Sequence, residues 1–366
     1  MLRQACRLGR PVRSRKYSTI PENKQHDPLN ILFCGADKFS IYSLRALNKL
    51  QQHRPDKIAS IDVLCRPDKR TGRGLKHVQA VPVKPVAAEL GLNLHQIDAF
   101  KGWQAPSDVN LVVAVSFGLL VPGTLLRAAK YGGLNVHPSL LPRFRGAAPI
   151  EHTLLERCDT TGVTLQTMHP TRFDHGAILS QKTTPITHER RPNAMVELLG
   201  PIGADLLVDG IERGLFIPPH PKTVTSEHEV SYAPKLTPAD RKIDWDSWTA
   251  HDILVRDEVL GGLWDTVSYS RCHGRGHTTA EERVKFEGPW QILDAVVDHN
   301  TSHLRSAGYP VLVGKTNEKV GIHTVDGRIV HPSEITISGK PKGSGHQILS
   351  NLLRKSKDQL QYLNGT

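Results

Sequence analysis

The segment Gly133-Leu134-Asn135-Val136-His137-Pro138-Ser139-Leu140-Leu141-Pro142-Arg143-Phe144-Arg145-Gly146 concentrates residue types from which a reaction can be built. In an extended strand, residues two apart share a face, so Asn135 and His137 project together. Pro138 and Pro142 stop the strand, and Gly146 permits a tight turn before the next helix. An amide donor beside an imidazole suits a reaction in which a carbonyl oxygen becomes an anion, because fixed donors stabilise the charge that develops there. That is acyl-transfer chemistry with no evident protein nucleophile. A carboxylate nearby would favour the charged imidazole and handle protons. Asp174, in Phe173-Asp174-His175-Gly176 after the next apolar stretch, is the candidate. The same residue types also make a satisfied hydrogen-bond network at a strand end, and taken by themselves they leave both readings open.

The elements that must position these groups follow from hydrophobic pattern. Leu29 to Gly35 is an apolar run ended by glycine, and Ile41, Leu44, Leu47 and Leu50 then mark one helical face. Ile58 to Cys65 and Val109 to Phe117 are further apolar runs of the kind found in strands buried on both faces of a parallel sheet. Helical segments are expected around Pro85 to Leu90 and Pro122 to Lys130, and a long helix over Asn193 to Arg213. Further strands are expected at Gly133 to His137 and Val163 to His169. This alternation predicts an α/β domain over about 28–215, with a Rossmann-like, open, mostly parallel sheet. Such sheets bind ligands at the carboxyl ends of their strands, where Asn135 and His137 would stand. Residues 216–247, rich in Pro, Thr and charge without a sustained period, read as a surface linker. Short apolar runs with glycine turns in 248–366 predict a smaller β-barrel domain of OB-like kind, ending in a basic helix over about 342–358.

Composition narrows the function classes. The chain has 366 residues and a formal net charge of +11, which makes a polyanionic partner plausible. No apolar run approaches the roughly 20 residues that span a bilayer, so no membrane association is expected. Five scattered cysteines without a CxxC pair support neither a disulfide scaffold nor a metal site. No GxGxxG follows the first strand, where the chain reads Gly35-Ala36-Asp37-Lys38, which argues against an NAD dehydrogenase. Residues 1–20 are arginine-rich and acid-free, as in a mitochondrial presequence; the other reading is a basic arm touching nucleic acid directly.

Asn135-Val136-His137-Pro138-Ser139-Leu140-Leu141-Pro142, with Arg143 to Ile150 after it and the Asp-x-Gly of Asp174 to Gly176, resembles the signature of formyltransferases that use 10-formyltetrahydrofolate. The resemblance implies that Asn135, His137 and Asp174 are catalytic. Asn135 and His137 would hold the oxyanion, Asp174 would tune His137, and the departing folate nitrogen would take its proton from His137 directly or through water. It implies folate contacts at Ser139, Leu140, Leu141 and Pro142, with Phe117 and Gly118 as another wall of the pocket. His175 departs from the family, where a small residue is common.

Within that family, Arg66-Pro67-Asp68-Lys69-Arg70-Thr71-Gly72-Arg73-Gly74-Leu75-Lys76 resembles the inserted loop of the enzymes that act on methionyl-tRNA. By composition it is either a solvated loop or a cationic one that follows a phosphate backbone. The resemblance implies that Arg66, Lys69, Arg70, Arg73 and Lys76 contact tRNA. Tyr232 to Leu236 and Gly339 to Lys342 resemble the same enzymes' linker and late β-rich region. The expectation is formyl transfer from 10-formyltetrahydrofolate to initiator methionyl-tRNA in the mitochondrial matrix, by a monomer without a metal. The competing readings are a formyltransferase acting on a nucleotide or amino sugar, and a noncatalytic RNA-binding protein that retains the fold.

Overall fold

A computed structural model describes residues 24–71, 74, 76–186, 189–220, 230–273, 276–293, 307–308, 310–313, 319–355 and 360–361. The presequence reading of 1–20 and the tRNA contact expected of Arg73 lie outside the described residues. The chain divides into two compact units between Lys235 and Leu236.

The first unit runs β1 (Leu29–Gly35), α1 (Lys38–His53), β2 (Ile58–Cys65), β3 (Lys69–Thr71), β4 (His77–Gln79), α2 (Val83–Glu89), β5 (Asn93–Gln96) and β6 (Leu111–Val115). It continues with α3 (Gly123–Ala128), β7 (Gly133–His137), α4 (Pro149–Leu155), β8 (Thr160–Thr167), β9 (Ile178–Pro185) and α5 (Pro192–Glu212). Seven strands form one sheet in the order β5-β2-β1-β6-β7-β8-β9. The five from β5 to β7 are parallel, whereas β8 runs antiparallel to β7 and β9 antiparallel to β8. All five residues of β6 are buried, as their uninterrupted apolar run predicts. Each buried Val or Leu there contributes about 1.5–3 kcal/mol, so the strand that flanks the site is firmly seated.

The chain steps outward from β1 to β2 and returns to β6 on β1's other side. A crevice therefore opens at the carboxyl ends of β1 and β6, beside β7. Asp37 caps α1 at this point, its Oδ1 accepting from the Ser40 N–H at 3.0 Å. The described residues of 66–79 include a short strand pair. Lys69–Thr71 pairs antiparallel with His77–Gln79 in a short hairpin. Asp68 fastens its base by accepting from the Val81 N–H at 3.0 Å and from Lys84 Nζ at 2.6 Å.

The described parts of 216–247 are packed. Phe216 is buried, and the Ala233 N–H donates to the Arg145 carbonyl at 2.7 Å, the Arg145 N–H donates to the Ser231 carbonyl at 2.9 Å, and the Ala233 carbonyl accepts from the Ala148 N–H at 3.1 Å. Ile243 and Trp245 belong to the core of the second unit. That unit contains α6 (Ala250–Leu260), β10 (Trp264–His273), β11 (Gly276–Leu293), β12 (Pro310–Val313) and β13 (Lys319–His323). It ends with β14 (Ile329–Ile337), β15 (Gly343–Ser344), α7 (Gly345–Lys355) and β16 (Leu360–Gln361). Its antiparallel sheet, ordered β12-β13-β14-β11-β10-β16, gives the small barrel-like domain expected. Trp245 sits in its core with the indole N–H satisfied by Asp265 Oδ2 at 2.7 Å. The strand pair β10–β11 is longer than composition suggested, and α6, introduced by a Thr249–Asp252 capping box, was not expected at all.

Candidate active site

Asn135 and His137 are the third and last residues of β7 and stand on one face, as alternation requires. The neighbouring strand β8 places Gln166 opposite Asn135 and Thr164 opposite His137. Beyond β8 the chain turns through Asp174, whose φ of 55° is left-handed, and returns as β9. Gly176 is obligatory in this turn, because a Cβ there would lie 1.6 Å from the Thr167 carbonyl oxygen. Ser116 and Phe144, also with positive φ, border the same region. Each such residue costs on the order of 1–3 kcal/mol and persists only where surrounding contacts enforce it.

Those contacts are explicit. His137 is 5% exposed, and its Nε2 lies 2.9 Å from the Phe144 carbonyl oxygen. Its Nδ1 faces Asp174 Oδ1 at 3.4 Å. Both ring nitrogens thus face acceptors. Asp174 Oδ2 accepts from the Gly146 N–H at 2.8 Å, and Oδ1 accepts from Gln166 Nε2 at 3.1 Å. Asn135 donates from Nδ2 to the Ala114 carbonyl at 3.0 Å and accepts from Gln166 Nε2 at 2.9 Å. The three residues singled out from sequence are therefore brought together in one hydrogen-bonded cluster. Gly146 supports it from below: its φ is +129°, and a Cβ would lie 2.4 Å from the Ala233 carbonyl oxygen.

The cluster forms the polar end of a cleft of about 390 Å³, a size suited to a small-molecule ligand. Phe117, Leu119, Leu120, Val121, Met168 and Phe173 supply apolar wall, and Gly118 also lines it. Asp37 contributes a second carboxylate just past the end of β1; the residue is exposed overall, and partial desolvation of its carboxylate in the cleft pushes it above the ordinary carboxylate range.

Phe117 and Gly118 are thus where a pocket wall was expected, whereas Ser139, Leu140, Leu141 and Pro142 do not line this cleft. Ser139 and Leu141 are buried behind it with their polar groups engaged internally. Ser139 Oγ donates to Arg143 O at 2.7 Å, and Thr164 Oγ1 donates to Ser139 O at 2.6 Å. The Leu141 N–H donates to Thr164 Oγ1 at 3.1 Å, and Gln181 donates to the Leu141 carbonyl at 2.8 Å. Leu141 instead borders a second, more polar concavity of about 270 Å³, shared with Arg145, Asp174 and His175. Of the cationic set, Lys69, Arg70 and Lys76 are exposed, while Arg66 is partly buried and paired with Asp98 at 3.4 Å.

Gln166, 1% exposed, was missed by sequence reasoning, as was Thr164. The signal was there: two polar residues at alternate positions inside an apolar strand, next to a strand bearing Asn135 and His137 at the same spacing. Among the described residues, no group of three or more His, Cys, Asp or Glu side chains could hold a metal ion. No described helix is long and apolar enough to cross a membrane.

The chain is similar to known proteins. Residues 29–209 match the family model described as formyl transferase. The mitochondrial methionyl-tRNA formyltransferase of Saccharomyces cerevisiae is 33% identical over 314 residues, covering 75% of this chain and 78% of that protein. The methionyl-tRNA formyltransferase of Listeria monocytogenes serotype 4a is 31% identical over 332 residues, covering 87% of this chain and 95% of the relative. Among solved structures, a sugar 3N-formyl transferase crystallised with dTDP and 5-N-formyl-THF superposes with a TM-score of 0.51 at 14% identity, over 86% of this chain and 100% of that one.

Proposed function

The chain belongs to the methionyl-tRNA formyltransferase family, and from that premise we propose that it transfers the formyl group of 10-formyltetrahydrofolate to the amino group of initiator methionyl-tRNA. The observation that carries the reading is the convergence of Asn135, His137 and Asp174 in one cleft that also has apolar walls. The apolar walls, Phe117 among them, suit the flat ring system of a folate, and the polar end suits its reacting formyl group.

The substrate amine attacks the formyl carbon, and the carbonyl oxygen becomes an anion in a tetrahedral intermediate. The bond from carbon to folate N10 then breaks, N10 takes up a proton, and the former amine nitrogen gives one up. Asn135 is the directed donor, because its amide has one hydrogen engaged by Ala114 O and one left for the oxyanion. With a proton on each ring nitrogen, His137, held between two acceptors, would act through charge rather than through a hydrogen bond aimed at the oxyanion. Its Nδ1 side, where the Asp174 contact is the longer of the two, is the route by which a proton reaches N10. Asp174 fixes the ring and balances its charge.

The exposed cations Lys69, Arg70 and Lys76 on the hairpin, with Arg73 between them in sequence, suit the phosphates of an acceptor stem, and the barrel-like unit would provide a further grip. Arg66, committed to Asp98, contributes less. The likeness to a mitochondrial relative and the arginine-rich, acid-free residues 1–20 support import into the mitochondrial matrix and removal of that segment.

The test is to offer the purified chain 10-formyltetrahydrofolate with charged initiator methionyl-tRNA, glycinamide ribonucleotide or a dTDP-linked amino sugar. Formyl should appear on the aminoacyl ester in strong preference. Preference for either small amine would overturn the tRNA reading, and no transfer to any acceptor would favour a noncatalytic RNA-binding protein.

A further inference from the structure

Asn135 can stabilise an oxyanion only if its NH2 group, and not its carbonyl oxygen, faces the cleft. The orientation of a planar amide is decided by its partners, and here the chain of partners begins at groups whose polarity is unambiguous. The Gly176 N–H is a donor and lies 3.2 Å from Gln166 Oε1. The Asp174 carboxylate is an acceptor and lies 3.1 Å from Gln166 Nε2. Together they fix which end of the Gln166 amide is which. Gln166 Nε2, now assigned as a donor, meets Asn135 Oδ1 at 2.9 Å. The Ala114 carbonyl, an acceptor, meets Asn135 Nδ2 at 3.0 Å. The Asn135 oxygen is thereby turned into the protein, and the NH2 group keeps a hydrogen free.

We propose that Gln166 is a positioning residue for formyl transfer: its side-chain amide relays the polarity of the Asp174 turn to Asn135 and so holds the oxyanion donor in its productive orientation. This rests on the reading of Asn135 as that donor. The same NH2 group contacts Asp174 and Asn135 at once, so the carboxylate that pairs with His137 and the amide that receives the oxyanion are locked in register. Gln166 lies within the sheet on β8, tied to a buried strand rather than to a mobile loop, which gives it the rigidity the task needs.

Two near-isosteric substitutions separate relay from packing. Gln166→Met keeps volume but removes both polar ends. Gln166→Glu keeps shape but, when ionised, turns an acceptor toward Asn135 Oδ1 and toward Asp174. The ionisable groups facing this position are Asp174 on the β8–β9 turn and His137 on β7. For a relay, Gln166→Met lowers kcat about ten- to a hundredfold, the scale of a misplaced catalytic group, with KM for the folate changed less than about threefold. Gln166→Glu is worse than Gln166→Met near about pH 8. It recovers relative to wild type as pH falls toward about 6, because the protonated carboxyl regains a donor.

A packing role predicts that both variants lose thermal stability with kcat near normal, or that kcat simply follows the loss of folded protein; either result overturns the proposal. So does a Gln166→Glu to wild-type ratio that stays flat with pH. Measuring Asn135→Ala beside them separates the two levels. If Asn135→Ala is impaired and Gln166→Met is not, the relay fails and the function stands. If Asn135→Ala turns over normally, the oxyanion reading fails and the relay falls with it.

Discussion

Replacing Asp174 by Asn tests the electrostatics of the cluster with almost no change of shape. Asp174 accepts on both oxygens, from the Gly146 N–H at 2.8 Å and from Gln166 Nε2 at 3.1 Å, while Oδ1 also faces His137 Nδ1 at 3.4 Å. An asparagine amide has one accepting end, so either Gly146 or the Gln166 and His137 side must meet an NH2 group, and one donor is left facing another. At an effective dielectric of about 20, a full charge pair at this separation is worth about 5 kcal/mol. Even if half of that survives through water and rearranged dipoles, a loss of 2–3 kcal/mol in the transition state corresponds to about a hundredfold in rate. The mispaired donor costs about 1–3 kcal/mol of stability, a fall in Tm of about 2–12 °C for a unit of this size. Single-turnover formylation at saturating folate and methionyl-tRNA, with a melting curve on the same sample, separates the two effects. A rate within about threefold of wild type in folded Asp174→Asn would refute the assignment of Asp174 to charge balance at His137.

Other perturbations probe the parts around the cluster. Reversing Lys69 and Arg70 to Glu should weaken tRNA binding and make the log–log salt slope shallower by about 1.5, while the KM for folate stays unchanged; an unaltered slope removes the hairpin from the interface. Gly176→Ala places a methyl group 1.6 Å from the Thr167 oxygen, so the turn must open and carry Asp174 away; turnover should fall more than about a hundredfold in a protein that still melts cooperatively. Partial desolvation in the cleft raises the folded-state pKa of Asp37, an otherwise exposed residue, above its unfolded value, so its ionisation opposes folding at neutral pH and this small penalty is relieved as pH falls through the raised value. Asp37→Asn keeps the helix cap and removes the charge, so its Tm should exceed wild type near neutrality by a margin that closes in acid. A margin that widens on acidification would show that the sign is wrong.

The central sheet was legible because its strands are apolar on both faces. Leu111 to Val115 reads as a strand whatever lies around it, and the helix from Lys38 announces itself by Leu44, Leu47 and Leu50. The turn after β7 was legible for a different reason, since proline and glycine punctuate the backbone directly. What resisted was whatever depends on a partner distant in sequence. β9 reads as polar because it lies at the sheet edge, half exposed, and gives no strong period. Tyr232 and Ala233 look like linker by composition, yet their backbone pairs with Arg145 across some ninety residues. Gln166, with Thr164 two residues before it, was passed over inside a strand otherwise read as core, because alternate polar residues gain meaning only when the neighbouring strand's register is known. The hairpin formed by Lys69–Thr71 and His77–Gln79 was hidden by its cations, and the feature that fastens it joins Asp68, just before β3, to Lys84 of α2.

At the centre stands the claim that Asn135 carries the oxyanion during formyl transfer. It is tested most directly by the single-turnover rate of Asn135→Ala, measured at saturating 10-formyltetrahydrofolate and initiator methionyl-tRNA together with the Kd for the folate. The expected result is a rate at least about a hundredfold below wild type with folate affinity within about threefold, as for loss of a donor that acts only in the transition state. A near-normal rate, or a defect confined to folate binding, would contradict it.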